Sequence, residues 1–319
     1  MAVELGGKVE GQDKSASGVP GAFTRRRFLL GVGVAALAGC ADLHLPGQAP
    51  VVKTGFAEIP GTRLYYETAG EGETVVLIHA FMLDTRTWDD QFASYAQRYR
   101  VIRYDARGFG RSDVPRAGEP YSHADDLAAL LDLLGAGGPA HVVGLSMGGR
   151  FALDFAVTHP TRLRSLTVID TVVGGWHWSR QWLVSYAPVL EAARRGDIAA
   201  AKQAWLANEI FAPLREQPAV AGRVRQMVND YSGWHLVHQD PERTPHPPTV
   251  SQLSKVGAPT LVLVGERDVS ELQTIAAYVA RGVPGARRET IAGAGHLASM
   301  EAPQRANELV LGFIAAQAA

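Results

Sequence analysis

The pattern with the clearest chemical meaning in this sequence is a serine between closely spaced glycines, Gly144-Leu145-Ser146-Met147-Gly148. A buried-strand pattern precedes it and a helical pattern follows it, which predicts a tight, strained turn that projects the serine Oγ above a sheet. The small residues on either side let the strand and the helix approach closely. The Met147 amide, at the start of the predicted helix, would point to an oxyanion beside the serine. The pattern predicts a nucleophile for acyl transfer; the alternative is a glycine-rich turn whose serine caps a helix.

A serine hydroxyl is a weak nucleophile and needs a general base near neutral pH. Of the ten histidines, His296 has the best setting, because the loop 293–297 should follow a strand and precede the last helix. Sites on α/β sheets form at the carboxyl ends of strands, where this loop is expected. His177, His235 and His238 could touch a substrate, but they lack a comparable loop. We therefore predict His296 as the base.

An acid should orient the imidazole and stabilise its cation. Asp268 directly follows an apolar run that is predicted to be a buried strand. Asp170 also ends a predicted strand, so it remains the competing candidate. We favour Asp268, and the alternative for either residue is a turn or capping aspartate.

The elements that must position these residues follow from hydrophobic periodicity. Near-continuous apolar runs separated by amphipathic stretches predict a mostly parallel sheet covered by helices on both faces. Two earlier and more polar runs, 54–58 and 64–67, predict an antiparallel leading edge. The predicted buried strands are 74–79, 101–105, 140–145, 163–170 and 260–265, and the predicted helices are 127–134, 151–158 and 307–316.

The alternation breaks within residues 172–250, which show helical segments but no convincing strand. We interpret this stretch as a helical cap inserted into an α/β core formed by residues 53–171 and 251–319. Five of the six tryptophans fall in the cap: Trp176, Trp178, Trp182, Trp205 and Trp234. Aromatic side chains of Trp176, Trp178 and Trp182 are predicted to line an apolar substrate pocket, and the alternative is that they form the core of the cap itself.

Composition limits the classes of function. The 319 residues carry a formal net charge of −1, so nothing in the charge favours nucleic acid or an anionic surface as a partner. The single cysteine excludes an intrachain disulfide and a metal cluster built from cysteines. The expected partner is a small-molecule ester or lactone, and the chemistry requires neither a metal nor an organic cofactor.

The N-terminus has the order of an export signal. Arg25, Arg26 and Arg27 precede an apolar run from Phe28 to Gly39, which is shorter than the roughly 20 residues of a membrane span. The paired arginines resemble a twin-arginine signal, and 37–40, Leu-Ala-Gly-Cys, resembles a bacterial lipobox that would lipidate Cys40.

These resemblances imply export machinery and membrane lipid as further partners. Residues 1–39 would be the signal and residues 40–52 a tether. The expected location is a membrane-anchored lipoprotein facing the periplasm or the cell exterior. The alternative for Cys40 is a small buried hydrophobic residue.

Together, these motifs resemble the α/β-hydrolase superfamily from about residue 55 to the C-terminus. The segment 105–112, Asp-Ala-Arg-Gly-Phe-Gly-Arg-Ser, is similar to a structural turn of that superfamily. His79-Ala80-Phe81 stands where most members have His-Gly-x, which implies the Phe81 amide as the second oxyanion donor beside Met147. Ala80 departs from the usual glycine and leaves the local backbone open to question. The chain order Ser, Asp, His is the one this fold uses.

Within the superfamily, segments 104–149 and 294–303 look most like 3-oxoadipate enol-lactonases and related small esterases. This implies hydrolysis of a small to medium ester or lactone through an acyl-enzyme. Perhydrolysis and carbon–carbon bond hydrolysis on the same triad are alternatives, and a non-catalytic receptor is an alternative of another class. A serine nucleophile argues against haloalkane dehalogenases and epoxide hydrolases, which use aspartate.

Overall fold

The computed structural model describes residues 50–317. The predicted export signal, Cys40 and most of the predicted tether lie outside the described residues. Within the described range, no helix has both the length and the apolar character required to cross a membrane.

The fold is built on an eight-stranded sheet with the order β1-β2-β4-β3-β5-β6-β7-β8. The first two strands pair antiparallel, β2 pairs antiparallel with β4, and the remaining strands are parallel. Every residue of β5 and β7 is buried, so both faces of the sheet are covered, as their continuous apolar character predicted. The strands are β1 (Lys53–Ile59), β2 (Thr62–Ala69), β3 (Thr74–Ile78), β4 (Arg100–Tyr104), β5 (Ala140–Leu145), β6 (Leu163–Ile169), β7 (Thr260–Gly265) and β8 (Arg287–Ile291).

The predicted fold class is confirmed, with differences at particular elements. Strand β8 is absent from the predicted set because Arg287, Arg288 and Glu289 break its apolar pattern; it is an edge strand that pairs only with β7. Helix α2 begins at His123, earlier than predicted, because the Ser122 Oγ accepts from the Asp125 amide.

Helix α8 packs against strand β7 of the sheet. Other helices pack against each other, α2 against α3 and α1 against α10. The range 172–250, which we call the cap, contains α4 to α7 and contributes no strand to the sheet. The helices are α1 (Asp89–Tyr95), α2 (His123–Leu133), α3 (Met147–Thr158), α4 (Arg180–Arg194), α5 (Ile198–Ala207), α6 (Pro218–Asp230), α7 (Trp234–Val237), α8 (Ser270–Gly282), α9 (Ala298–Glu301) and α10 (Pro303–Ala315).

Ion pairs join the cap to the core at several points around its rim. The most buried of them is bidentate: the Arg150 guanidinium on α3 donates to both Glu242 oxygens, at 2.8 and 2.9 Å. The exposed pairs each contribute little to stability. They are Arg86–Asp230, Arg223–Asp90 and Arg267–Glu216.

Candidate active site

Ser146 occupies the strained turn between β5 and α3. Its φ and ψ are 54° and −111°, a conformation that L-residues rarely adopt. Its amide donates to the Ile169 carbonyl at 2.8 Å, which ties the turn to the neighbouring strand. A Cβ at Gly144 would overlap the Gly148 backbone, and one at Gly148 would overlap the Ile78 carbonyl. The glycine spacing seen in the sequence is therefore a requirement of this close approach.

A continuous hydrogen-bond chain starts at the serine. The Ser146 Oγ lies 2.8 Å from His296 Nε2, and His296 Nδ1 lies 3.0 Å from Asp268 Oδ2. All three side chains are buried. The carboxylate can only accept from Nδ1–H, so Nε2 is left to accept the serine proton. This is the tautomer that a base acting on Ser146 requires.

The two candidate acids have different surroundings. Asp268 Oδ1 accepts from the Val269 amide at 2.8 Å, while its Oδ2 faces His296. Both oxygens of Asp170 are instead used by backbone amides, those of Gly265 at 2.7 Å and Ala298 at 2.9 Å. Burial, followed by the neighbouring Asp268 charge, raises the pKa of Asp170 well above its ordinary value. Asp170 thus joins the β7 end to the loop of His296 and makes no hydrogen bond to the imidazole.

The loop that carries His296 is held by a residue outside the predicted set, Glu301 on α9. Its carboxylate accepts from the Gly295 amide at 2.8 Å and from the Leu297 amide at 3.0 Å, on either side of the histidine. A carboxylate five residues after a histidine is too common a pattern to reveal this role in the sequence. Glu301 is a positioning residue for the imidazole.

The Phe81 and Met147 amides are the predicted oxyanion donors. Within residues 50–317, neither amide donates to a protein acceptor. The first amides of a helix lack partners inside the helix, so Met147 presents a free donor directly after Ser146. Phe81 belongs to the loop that follows β3, beside the turn of Ser146, since Gly148 packs on the carbonyls of Ile78 and His79.

His79 organises that loop. Its Nε2 accepts from the Ala106 amide at 3.0 Å, so Nδ1 carries the proton and donates to the Ala80 carbonyl at 2.8 Å. The positive φ of the loop falls on Met82, at 58°, and Ala80 has a negative φ. Alanine is therefore compatible with the backbone at position 80.

The 105–112 turn serves as support for this loop. Asp105 is fully buried, and its carboxylate accepts from the Thr85 amide at 2.7 Å and from the Arg111 amide at 2.9 Å. Any side chain at Gly110 would overlap that carboxylate. Burial raises the pKa of Asp105.

The three tryptophans predicted to line the pocket have different neighbours. Trp176 turns to α8, where its Nε1 donates to Glu271 Oε1 at 2.7 Å. Trp178 stacks on Trp182 with ring centroids 4.9 Å apart, and Trp182 stacks in turn on Tyr186 at 6.3 Å. Their role as pocket residues stays a prediction.

Other aromatic rings contact the Phe81 side chain directly. Trp205 lies edge-on at 5.9 Å, Phe109 at 6.0 Å and Tyr231 at 6.2 Å. Tyr186 links this group to Trp182, because its ring lies 5.7 Å from that of Trp205. The rings around the Phe81 side chain thus come from α5, from the end of α6 and from the 105–112 turn. No local signal in the sequence distinguishes them from other core aromatic residues.

His235 adds a further ring to this group. We call the rings of Phe109, Trp205, Tyr231 and His235 the aromatic wall. Its ring stacks on Phe109 at 4.4 Å, and its Nδ1 lies 2.8 Å from the Tyr231 hydroxyl. Burial lowers its pKa to about 4, so the ring is neutral at physiological pH. Residues 50–317 contain no group of three or more histidine, cysteine or acidic side chains placed to hold a metal ion.

Comparison with known proteins places these features in a family. A hydrolase of 2-hydroxy-6-oxononadienedioate and 2-hydroxy-6-oxononatrienedioate from Burkholderia vietnamiensis is 29% identical over 266 residues, which cover 79% of this chain and 91% of the relative. A thermophilic esterase from Thermogutta terrifontis superposes with a TM-score of 0.67 at 28% identity, covering 85% of this chain and 100% of the esterase.

The enol-lactonase from Burkholderia xenovorans LB400 has the same fold, with a TM-score of 0.67 at 24% identity over 82% of this chain and 100% of the enzyme. The family model for the alpha/beta hydrolase fold matches residues 73–303, which include Ser146, Asp268 and His296. This match spans most of the sequence and contains strands β3 to β8, so the chain belongs to the α/β hydrolase family.

Proposed function

We propose that the protein is a serine hydrolase of carboxylic esters or lactones, with Ser146 as nucleophile, His296 as general base and acid, and Asp268 as the acid of the triad. The observation that carries this proposal is the hydrogen-bond chain from Ser146 through His296 to Asp268, with the serine on a strained turn at the carboxyl end of the sheet. Esterases and hydrolases among its relatives support the same chemistry.

The mechanism follows from the direction of these bonds. His296 Nε2 takes the Ser146 proton as Oγ attacks the carbonyl carbon, and the Asp268 carboxylate stabilises the resulting imidazolium. The carbonyl oxygen becomes an oxyanion, and the free Met147 and Phe81 amides are placed to donate to it. The imidazolium then protonates the leaving alcohol, so the ester C–O bond breaks and an acyl-enzyme remains. A water activated by His296 releases the acid and regenerates Ser146.

The first test is loss of function at the nucleophile and the base. Ser146→Ala and His296→Ala should each lower kcat for phenyl butyrate by several orders of magnitude, and both should keep the wild-type melting temperature within a few degrees. Ser251→Ala and His159→Ala are matched controls, because the first residue is exposed and the second only partly buried, away from this chain of bonds. Retention of more than a few per cent of activity in Ser146→Ala would overturn the assignment.

Covalent labelling tests the same serine independently. A fluorophosphonate should modify Ser146 in the wild type, and the modified peptide should be identified by mass spectrometry. His296→Ala should suppress labelling, because the hydroxyl then has no base. Labelling elsewhere, with Ser146 unmodified, would contradict the proposal.

The aromatic wall favours small to medium uncharged esters or lactones with apolar or aromatic groups. Trp205, Tyr231 and Phe109 enclose the Phe81 side chain, and none of them offers a formal charge to a substrate. We expect kcat/KM to be highest for acetyl, butyryl or phenylacetyl esters or for a lactone. A maximum at palmitoyl esters or at a dicarboxylate monoester would contradict this specificity.

Perhydrolysis and carbon–carbon bond hydrolysis use the same triad, and the similarity to the Burkholderia vietnamiensis enzyme keeps the second reaction as a candidate. Competition between hydrogen peroxide and water for the acyl-enzyme distinguishes perhydrolysis from hydrolysis. A non-catalytic receptor would bind an ester without turnover, so a chromogenic ester separates that alternative from all three reactions.

We also propose that the chain is an exported lipoprotein anchored through Cys40. The support comes from the sequence: the arginine pair, the short apolar run and the Leu-Ala-Gly-Cys segment follow one another in the order that export requires. Cys40→Ser should move the protein from a detergent-requiring membrane fraction to a soluble fraction without changing kcat. Replacement of Arg25 and Arg26 by lysine should block export. Unchanged fractionation of Cys40→Ser would remove the anchor from the proposal.

A further inference from the structure

We propose that the Trp205 indole N–H is a substrate-binding donor that selects esters and lactones carrying a second acceptor oxygen close to the scissile carbonyl. This specificity rests on the proposed function of the same site. Keto, ether and amide oxygens are the acceptors that an indole donor would recognise, because the indole nitrogen donates and never accepts.

The Trp205 ring contacts the side chain of Phe81. It lies on α5 in the cap, retains 6% of its exposure, and presents its ring at 76° to that of Phe81 with centroids 5.9 Å apart. Phe81 is the residue whose amide is the proposed oxyanion donor, and its own side chain is only half-buried. The Trp205 ring is therefore packed against the residue that carries the proposed donor amide.

The Trp205 N–H makes no hydrogen bond within the described residues. Within residues 50–317, its Nε1 is buried and no protein acceptor lies within hydrogen-bond distance. A buried polar group without a partner costs free energy, so native proteins keep few of them, often for a ligand or a catalytic role. An acceptor supplied by the substrate would remove this cost only in the complex.

The other indoles differ from Trp205 either in their contacts or in their position in the fold. The Trp176 N–H is taken by Glu271, and Trp234 stacks on His238 with centroids 5.1 Å apart. Trp88 also has an unpartnered N–H, but it belongs to the fully buried core at the start of α1. Of the two buried indoles without a partner in the described range, Trp205 is the one whose ring contacts Phe81.

A structural use of the donor would be an N–H···π contact with a neighbouring ring. Tyr186 and Phe211 both stand nearly perpendicular to Trp205, at 90° and 85°. That use predicts the same loss for every substrate when the indole is replaced. A substrate-binding donor predicts a loss confined to substrates that carry the acceptor, and this difference provides the test.

The experiment measures kcat/KM for two matched pairs with wild type and Trp205→Phe. The first pair is phenyl butyrate and phenyl 3-oxobutyrate, which differ only by one keto oxygen; the second is γ-butyrolactone and its α-acetamido derivative. Phenylalanine keeps the aromatic contact with Phe81 and removes the donor. We expect Trp205→Phe to lose about five- to tenfold more kcat/KM on the oxygen-bearing member of at least one pair, the size of one neutral hydrogen bond.

Trp234→Phe is the control, since it removes a cap indole that stacks away from Phe81, and it should lower both members of each pair equally. Thermal unfolding of both variants separates a binding effect from misfolding. A selective loss below fivefold in both pairs would overturn the role of Trp205. Failure of the wild type to hydrolyse any of the four compounds, while Ser146 stays unlabelled by fluorophosphonate, would overturn the proposed function itself.

Discussion

The choice between Asp268 and Asp170 can be tested with two single-atom substitutions. In Asp268→Asn, the Val269 amide still requires an oxygen acceptor at 2.8 Å, so the new NH₂ group is directed to His296 Nδ1. Nδ1 must then accept, and the proton moves to Nε2. The imidazole would donate to the Ser146 Oγ when it should accept from it, and kcat should fall by about 10⁴, or about 5 kcal/mol of barrier.

Asp170→Asn should affect stability more than chemistry. Gly265 and Ala298 each donate an amide to one Asp170 oxygen, and asparagine can satisfy only one of them. The remaining amide would face the NH₂ group, at a cost of about 1–3 kcal/mol and a fall in Tm of about 2–10 °C. The His296 loop would shift slightly, with a loss in kcat below about 10²-fold.

The assay is kcat for phenyl butyrate together with thermal unfolding for wild type and both variants. The expected pattern is opposite in the two measurements: Asp268→Asn loses activity with a nearly unchanged Tm, and Asp170→Asn loses Tm with most of its activity retained. A crippled Asp170→Asn beside a mildly affected Asp268→Asn would show that the hydrogen-bond argument is wrong and that Asp170 is the acid.

Two further substitutions and one control test the turn and the aromatic wall. Gly148→Ala should destabilise the fold by about 1–3 kcal/mol or more and abolish activity, because its Cβ would overlap backbone carbonyls. The control is Gly222→Ala in α6, where nothing lies within 4 Å of the added Cβ, so this variant should be neutral or stabilising. Equal stability of the two variants would refute the packing argument. His235→Phe keeps the stacking on Phe109 and removes a ring whose pKa burial lowers to about 4. Between pH 6.5 and 4 the unfolded chain binds a proton at His235 that the folded chain does not, so this ring's contribution to stability is complete above pH 6.5 and is lost on acidification. The wild-type unfolding free energy should therefore fall by about 2 kcal/mol more than that of His235→Phe between pH 7 and 4.5, and parallel pH profiles from chemical denaturation would contradict the assignment.

The differences between prediction and structure have identifiable physical causes. The parallel sheet was predicted because its buried strands are apolar throughout. Strand β8 was not predicted, because an edge strand can carry arginine and glutamate and then lacks an apolar pattern. Helix α2 was predicted to begin too late because its first turn is stabilised by the Ser122 cap and carries little apolar periodicity. Periodicity detects burial of an element, and it is weakest where an element is exposed or begins with a cap.

For the site, the sequence alone determined whatever depends on neighbouring residues. The turn of Ser146 needs small residues two positions away on either side, and this requirement is written in consecutive positions. Asp268 and Asp170 both follow strands, so local pattern could not separate them. Only the tertiary structure directs Asp268 to His296 and occupies Asp170 with two backbone amides. The aromatic wall was decided in the same way, because Trp205 meets Phe81 across more than a hundred residues of chain. A contact between distant segments depends on how the cap packs on the sheet, and no short stretch of sequence contains that information.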